Sequence, residues 1–151
     1  MLRKALTALV AVPGLLLLAG CGSSGSEQMA EHLDNSDEDD VVIVSLSGVY
    51  GDEWETFYVV CPETDRSIAS QMIGVSESAL PELESEGSDN AIVYTNGDDT
   101  GYELFEVDDV QLCSGGMAPL AYEFTADLVS VTPTSDDSWW LNSRDLEQEG
   151  S

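Results

Sequence analysis

Basic side chains are scarce in this chain. Among its 151 residues, 30 are Asp or Glu and only four are Lys or Arg. Proteins bind nucleic acid through clusters of basic side chains, and a large excess of acid repels both nucleic acid and anionic lipid headgroups. The composition therefore excludes nucleic acid as an electrostatic partner.

The chain also has only one long apolar run, over residues 5–19. It is too short for a membrane-spanning helix, which needs about 20 apolar residues. Arg3 and Lys4 precede the run and small residues end it. A charged start, a short apolar stretch and a small-residue end are typical of a cleavable secretory signal. We therefore predict that residues 1–20 are a signal peptide.

A cysteine follows this run directly, in the stretch Leu18, Ala19, Gly20, Cys21. The stretch resembles the lipobox of bacterial lipoproteins, in which an aliphatic residue and two small residues precede the lipidated cysteine. The resemblance implies that Cys21 receives a diacylglyceryl group and that a peptidase cuts just before it. Acyl chains such as palmitate would then hold the protein on the outer face of the cell membrane, since two chains suffice for stable anchoring. The alternative is a plain secretory signal with a chance cysteine at its boundary.

Removal of residues 1–20 would make the chain still more acidic. Only Arg66 and Arg144 would remain against all 30 acids, a net side-chain charge of −28. The acids are spread along the chain, and three interpretations stay open. They are adaptation to high salt, the solvated surface of a secreted protein, and a reservoir of ligands for cations.

Residues 21–40 are predicted to be the lipidated cysteine and a disordered acidic tether. Small and then charged residues fill this segment, which cannot offset its own ordering entropy. A root-mean-square span of roughly 25 Å would let the folded part stand off the membrane. His32, the only histidine, lies in the tether. The folded part is therefore expected to lack a Ser-His-Asp or Cys-His nucleophile and an ordinary histidine zinc site.

Residues 41–142 are predicted to form one small α+β domain, and residues 143–151 a polar tail. The expected architecture is an antiparallel sheet of about five to six strands with one packed helix. The β-branched and aromatic runs over 41–46 and 54–61 predict two strands that pair as a hairpin with a long loop. A single strand is predicted over 120–131, where a change of apolar side beyond residue 128 suggests a bulge or burial on both faces.

A helix and a second hairpin are predicted between these segments. From about residue 62, the pattern places Ile68, Ala69, Met72 and Ile73 on one helical face, and Gly74 ends it. The runs over 91–95 and 102–107 then flank an Asn-Gly turn signal, which predicts an antiparallel pair.

Two cysteines remain once Cys21 is lipidated. Outside the cytoplasm, Cys61 and Cys113 are predicted to form a disulfide, because each closes a strand-like run and no third cysteine competes. A loop of about 50 residues closed in this way is worth about 4 kcal/mol. A redox-active thiol is the alternative, although the chain has no Cys-x-x-Cys pair.

Two further features are candidate binding residues. Asp98 and Asp99, at the tip of the predicted second hairpin, carry oxygen ligands of the kind that calcium takes, and a solvated turn is the alternative. Trp139 and Trp140 are adjacent, so in a strand one would face the core and the other the solvent. An exposed tryptophan could stack on a sugar or contact a partner.

These observations favour a lipid-anchored protein of the cell envelope. We expect a non-enzymatic binding or accessory module without a cofactor, whose partner is an envelope protein or polymer. The alternatives are a hydrolase that uses only carboxylates and a surface protein that binds calcium.

Overall fold

The computed structural model describes residues 28–36, 40–83, 89–114 and 116–146. Within these ranges the chain forms three helices, eight strands and two short 3-10 turns, Glu77–Ala79 and Ser143–Asp145. The helices are α1 (Gln28–Asp34), α2 (Leu46–Tyr50) and α3 (Arg66–Ile73). The strands are β1 (Val42–Ser45), β2 (Thr56–Val60), β3 (Asp89–Thr95), β4 (Thr100–Glu106), β5 (Val110–Gln111), β6 (Ala121–Glu123), β7 (Leu128–Pro133) and β8 (Trp139–Leu141).

The strands form two four-stranded sheets instead of the single sheet expected. One has the order β4-β3-β2-β6 and is antiparallel throughout; the other has the order β1-β7-β8-β5, in which only β5 and β8 run parallel. The main core contains Phe57, Ile92 and Phe105 from the first sheet and Val129 and Leu141 from the second. The sheets therefore pack face to face, and the α+β class is confirmed.

The disulfide between Cys61 and Cys113 is also confirmed, with 5.7 Å between the two Cα atoms. Cys61 follows β2 and Cys113 follows β5, so the bond joins the end of one sheet to the end of the other. Both cysteines are buried in the main core.

The predicted second hairpin is confirmed as β3 and β4, which pair from Asp89↔Glu106 to Thr95↔Thr100. The side chain of Asn96 closes the turn by accepting the N–H groups of Asp98 and Asp99 at 3.2 and 2.8 Å. Gly97 has φ of 93°, a conformation that favours glycine. The Asn-Gly signal was informative because its residues satisfy the turn locally.

The predicted first hairpin is wrong, because β1 and β2 belong to different sheets. β1 pairs with β7, whereas β2 pairs with β3 and β6. Between them the chain forms α2, which Ser45 caps by accepting the N–H of Gly48 at 3.0 Å. This cap and the short helix turn the chain away from β1 before a hairpin can form.

The single strand predicted over 120–131 is two strands. β6 lies in the first sheet and β7 in the second, and residues 124–127 carry the chain from one to the other. The change of apolar side beyond residue 128 therefore marks a change of sheet and not a bulge.

The predicted helix is α3, which starts at Arg66, four residues later than the pattern indicated. Asp65 caps it by accepting the N–H of Ser67 at 2.8 Å, and Gly74 ends it in a left-handed conformation with φ of 82°. Ala69 and Ile73 are buried against the β4-β3-β2-β6 sheet, in a second core cluster with Val60, Leu80, Ala91, Val93 and Ala121. Ile68 and Met72, predicted on the same face, are 42% and 39% exposed.

The predicted disordered tether is wrong for residues 28–36, because Gln28–Asp34 form α1. Met29 and Leu33, one helical turn apart, are fully buried in the main core. His32 lies on the exposed side of this helix. The fold therefore begins at least 13 residues before position 41.

The predicted polar tail also contributes to the fold at its start. Leu146 is buried in the main core and forms an isolated bridge with Phe124. Residues 147–151 lie outside the described residues, as do the predicted signal 1–20 and Cys21. No helix in the described part of the chain is long and apolar enough to cross a membrane.

Candidate functional site

The two sheets differ on their outer faces. The β4-β3-β2-β6 sheet carries α3 on its outer face and is called the helix-covered sheet below. The β1-β7-β8-β5 sheet, called the open sheet, exposes apolar side chains on its outer face instead. Ile43, Leu128 and Trp140 are 60%, 60% and 57% exposed, although comparable side chains of its inner face are buried.

The open face is defined by strand alternation. Val44, Val129, Val131, Val110, Trp139 and Leu141 point inward and are buried. The alternate residues therefore point outward. They are Ile43 and Ser45 of β1, Leu128, Ser130 and Thr132 of β7, Trp140 of β8 and Gln111 of β5, with Val41 just before β1.

Trp140 lies in the middle of one cross-strand row of this face. It pairs with Thr132 on one side and with Gln111 on the other. The register of β1 and β7 places Val41 beyond Thr132. The row crosses three strand spacings, about 14 Å in all. The amide nitrogen of Gln111 donates to the carbonyl of Cys113 at 3.2 Å, which holds this side chain in place.

The two tryptophans lie on opposite sides of β8, as the alternation predicted. Trp139 is 7% exposed and belongs to the main core, whereas Trp140 is 57% exposed. Its burial in the main core is a sufficient structural reason for a tryptophan at position 139. Trp140 has none of this kind. Together with the exposed Ile43 and Leu128 of the same face, it makes the open face a candidate contact surface.

The open face carries no charge on its described strand residues. Its acids lie at the border: Asp109 precedes β5, Asp127 precedes β7 and Asp145 follows β8. Asp145 accepts the N–H and the hydroxyl of Ser130 at 2.8 and 3.1 Å. A neutral surface with a negative rim fits an uncharged ligand and repels an anionic one.

Asp127 is held in place at this rim. Its carboxylate accepts the Ser45 hydroxyl and the Ser47 N–H, both at 2.7 Å. Partial burial alone would raise the pKa of Asp127, but these hydrogen bonds outweigh it and lower the pKa below its ordinary value. The carboxylate therefore stays ionised and fixes the start of α2 against the start of β7.

The predicted calcium ligands Asp98 and Asp99 lie in the turn between β3 and β4, away from the open sheet. Both residues are exposed, and their N–H groups close the turn on Asn96. Among the described residues, no three His, Cys, Asp or Glu side chains converge closely enough to hold a metal ion.

The main polar group that sequence reasoning missed is Glu103 on β4. It is only 1% exposed and faces the core. Its carboxylate accepts the N–H of Met29 at 3.0 Å, the N–H of Ala30 at 3.1 Å and the Tyr50 hydroxyl at 2.5 Å. The N–H groups at a helix start have no partner within the helix, so Glu103 supplies one for α1.

The buried carboxylate of Glu103 affects the pKa of Tyr50. Burial raises the pKa of Tyr50 well above its ordinary value, and the nearby charge and hydrogen bond of Glu103 raise it further. A signal for Glu103 existed in the sequence, since the alternation that points Phe105 inward points Glu103 inward as well. Its partners in α1 could not be found, because residues 28–34 lack a recognisable helical pattern.

No family model, curated protein or solved structure matches this chain. Function is therefore inferred from the chemistry of the open face and from the predicted anchor.

Proposed function

We propose that this protein is a lipid-anchored binding module of the cell envelope, and that the open face is its binding surface. One observation carries the proposal. In a chain with 30 acids and four basic residues, the outward strand residues of the open sheet are uncharged and present an exposed tryptophan, Trp140. Such a surface is unfavourable in water unless something covers it.

The distance between the proposed anchor and the fold supports a position close to the membrane. The seven residues from Cys21 to Glu27 precede α1. Even fully extended, they would span at most about 25 Å. The domain is therefore held near the envelope layer next to the membrane, within a shorter reach than a tether of residues 21–40 would allow.

The anchor is tested by the substitution Cys21→Ser in cells that make the full chain. We expect the protein to leave the membrane fraction, because the acyl chains are its attachment. Met72→Ala is the control, since it changes an exposed side chain and leaves both Cys21 and the disulfide in place. Retention of Cys21→Ser protein in washed membranes would refute the lipid assignment.

The binding surface is tested by cosedimentation with insoluble envelope material from the source cells. The chain from Gly22 onward, which contains every described residue, is compared with its Trp140→Ala variant. We expect the variant to lose retention while keeping the melting temperature of the parent, because Trp140 is mostly exposed. Met72→Ala, a change of an exposed apolar side chain on α3, is the control. Equal retention of all three proteins would overturn the proposed surface.

A further inference from the structure

We propose that the ligand of the open face is an uncharged glycan, a polymer of neutral pyranose sugars that stacks on Trp140. This inference rests on the binding surface proposed above and names its ligand class. It follows from the size of the face, from the groups that surround the indole ring and from the charge at the rim.

The open face is small for a protein partner. Its row through Trp140 spans about 14 Å, and its longest strand, β7, has six residues, or about 20 Å. In projection the face therefore covers only about 280 Å². A protein partner would have to extend well beyond it to bury the roughly 800 Å² of accessible surface that each partner loses in a stable protein interface. A glycan chain needs only a narrow strip, and the Trp140 row has this shape.

The groups along the row suit a sugar. The face of an indole ring packs against the C–H groups of a pyranose, and neighbouring hydroxyl and amide groups pair with its hydroxyls. Thr132 and Gln111 flank Trp140 in register and supply one hydroxyl and one amide. The Gln111 amide nitrogen already donates to the Cys113 carbonyl, so the Gln111 amide oxygen and the Thr132 hydroxyl are the groups that face a ligand. A purely apolar partner would remove water from these two groups without replacing its hydrogen bonds, at a cost.

Charge disfavours anionic polymers and a second copy of the chain. Asp109, Asp127 and Asp145 at the rim repel anionic glycans, phosphate-containing polymers and anionic lipid surfaces. Once residues 1–20 are removed, two copies of this chain would each carry a net side-chain charge of −28, which opposes their association. An uncharged ligand meets neither obstacle.

The test is calorimetric titration of the chain from Gly22 onward with three neutral hexasaccharides. They are the β-1,4-linked glucose, the α-1,4-linked glucose and the β-1,4-linked N-acetylglucosamine hexamers, with hexagalacturonate as the anionic counterpart. We expect at least one neutral hexamer to bind and hexagalacturonate not to bind. Trp140→Ala should weaken the binding at least about tenfold, as expected for a central aromatic contact. Met72→Ala should leave it unchanged.

Two results would overturn the glycan inference. One is the absence of binding by every neutral hexamer up to about 10 mM, ten times the Kd of about 1 mM that marks weak association. The other is binding that Trp140→Ala leaves intact.

The cosedimentation experiment separates this failure from failure of the binding surface. Retention on envelope material that requires Trp140, but that protease treatment of the material abolishes, would identify a protein partner. It would keep the surface and reject the glycan. Retention that requires Trp140, survives protease and is competed by the binding hexamer supports both proposals.

Discussion

The helix-covered sheet and the open sheet share one core, but the outer face of the first is buried under a helix and that of the second is exposed. On the helix-covered sheet, Val60 and Val93 are buried under α3 at 3% and 0% exposure. On the open sheet, Ile43 and Trp140 are exposed by more than half. Both outer faces carry apolar side chains, although polar uncharged residues lie among those of the open face. The presence of apolar side chains alone therefore does not show which face is a core and which is a candidate contact surface.

The two sheets also differ in where charged side chains lie. Glu103 on β4 is a carboxylate inside the core, whereas the outward strand residues of the open sheet carry no charge in a strongly acidic chain. A buried polar group and an exposed apolar group are the exceptions that call for a physical reason. Glu103 has its reason in the start of α1. For the open face, the proposed ligand would supply the reason.

The largest effect on stability is expected from removing the disulfide that links the two sheets. Replacing Cys61 and Cys113 with Ala removes the bond between them, whose 52-residue separation corresponds to about 4 kcal/mol of unfolding free energy. Denaturant unfolding, followed by tryptophan fluorescence, measures the loss. Reduction of the parent protein should reproduce it. A loss below about 1 kcal/mol would show that the packed core alone holds the sheets together.

Truncation of one apolar side chain at each outer face, on α3 for the helix-covered sheet and on β1 for the open sheet, tests the comparison directly. Ile73→Ala on α3 should lower the unfolding free energy by about 2–4 kcal/mol, because the Ile73 side chain is buried between α3 and the helix-covered sheet. Ile43→Ala on the open face should change it by less than about 0.5 kcal/mol, because the side chain is already in water. Equal losses in thermal or urea unfolding would mean that the open face is packed in solution.

Glu103→Gln should lower stability by about 1.5–3 kcal/mol, the range for hydrogen bonds to a charged group. The amide nitrogen would face the N–H groups of α1 and the Tyr50 hydroxyl, which are donors. Limited proteolysis should then cut within residues 28–36. Glu106→Gln, an exposed change on the same strand, is the control. Unaltered protection of α1 would contradict this placement of Glu103.

The smallest expected effect is a pH dependence of stability that arises from Asp127 at the rim of the open face. The pKa of Asp127 is lowered in the fold, so its ionised form stabilises the protein above the unfolded pKa of about 3.9. This stability is lost as the pH falls through the lower folded pKa. The contribution is expected to stay below about 1 kcal/mol, because solvent screens this carboxylate. Melting curves of the parent and Asp127→Asn should converge as the pH falls through the lowered folded pKa, and a constant difference would contradict the assignment.

Local signals in the sequence predicted what local contacts determine. The β3–β4 hairpin follows from the Asn96 turn, and α3 follows from the Asp65 cap and Gly74. The disulfide was predictable because only two cysteines remain after Cys21.

Long-range contacts could not be read from the same signals. Helix α1 is stable because Met29 and Leu33 enter a core built from later strands and because Glu103 holds its first turn. No local sequence signal predicts the pairing of β1 with β7, which lies near the other end of the chain. At the open face, the alternation predicted that Trp139 and Trp140 point apart, but only the sheet order shows that Thr132 and Gln111 flank Trp140.

The most direct test of the open face as a contact surface needs no substitution. Oxidative footprinting with mass spectrometry compares the free protein with the same protein on its envelope material. Trp140 of the open face should be protected on the envelope, while Met72 on α3 should react as it does in the free protein. Equal reactivity of Trp140 in the two settings would contradict the proposal that a ligand covers the open face.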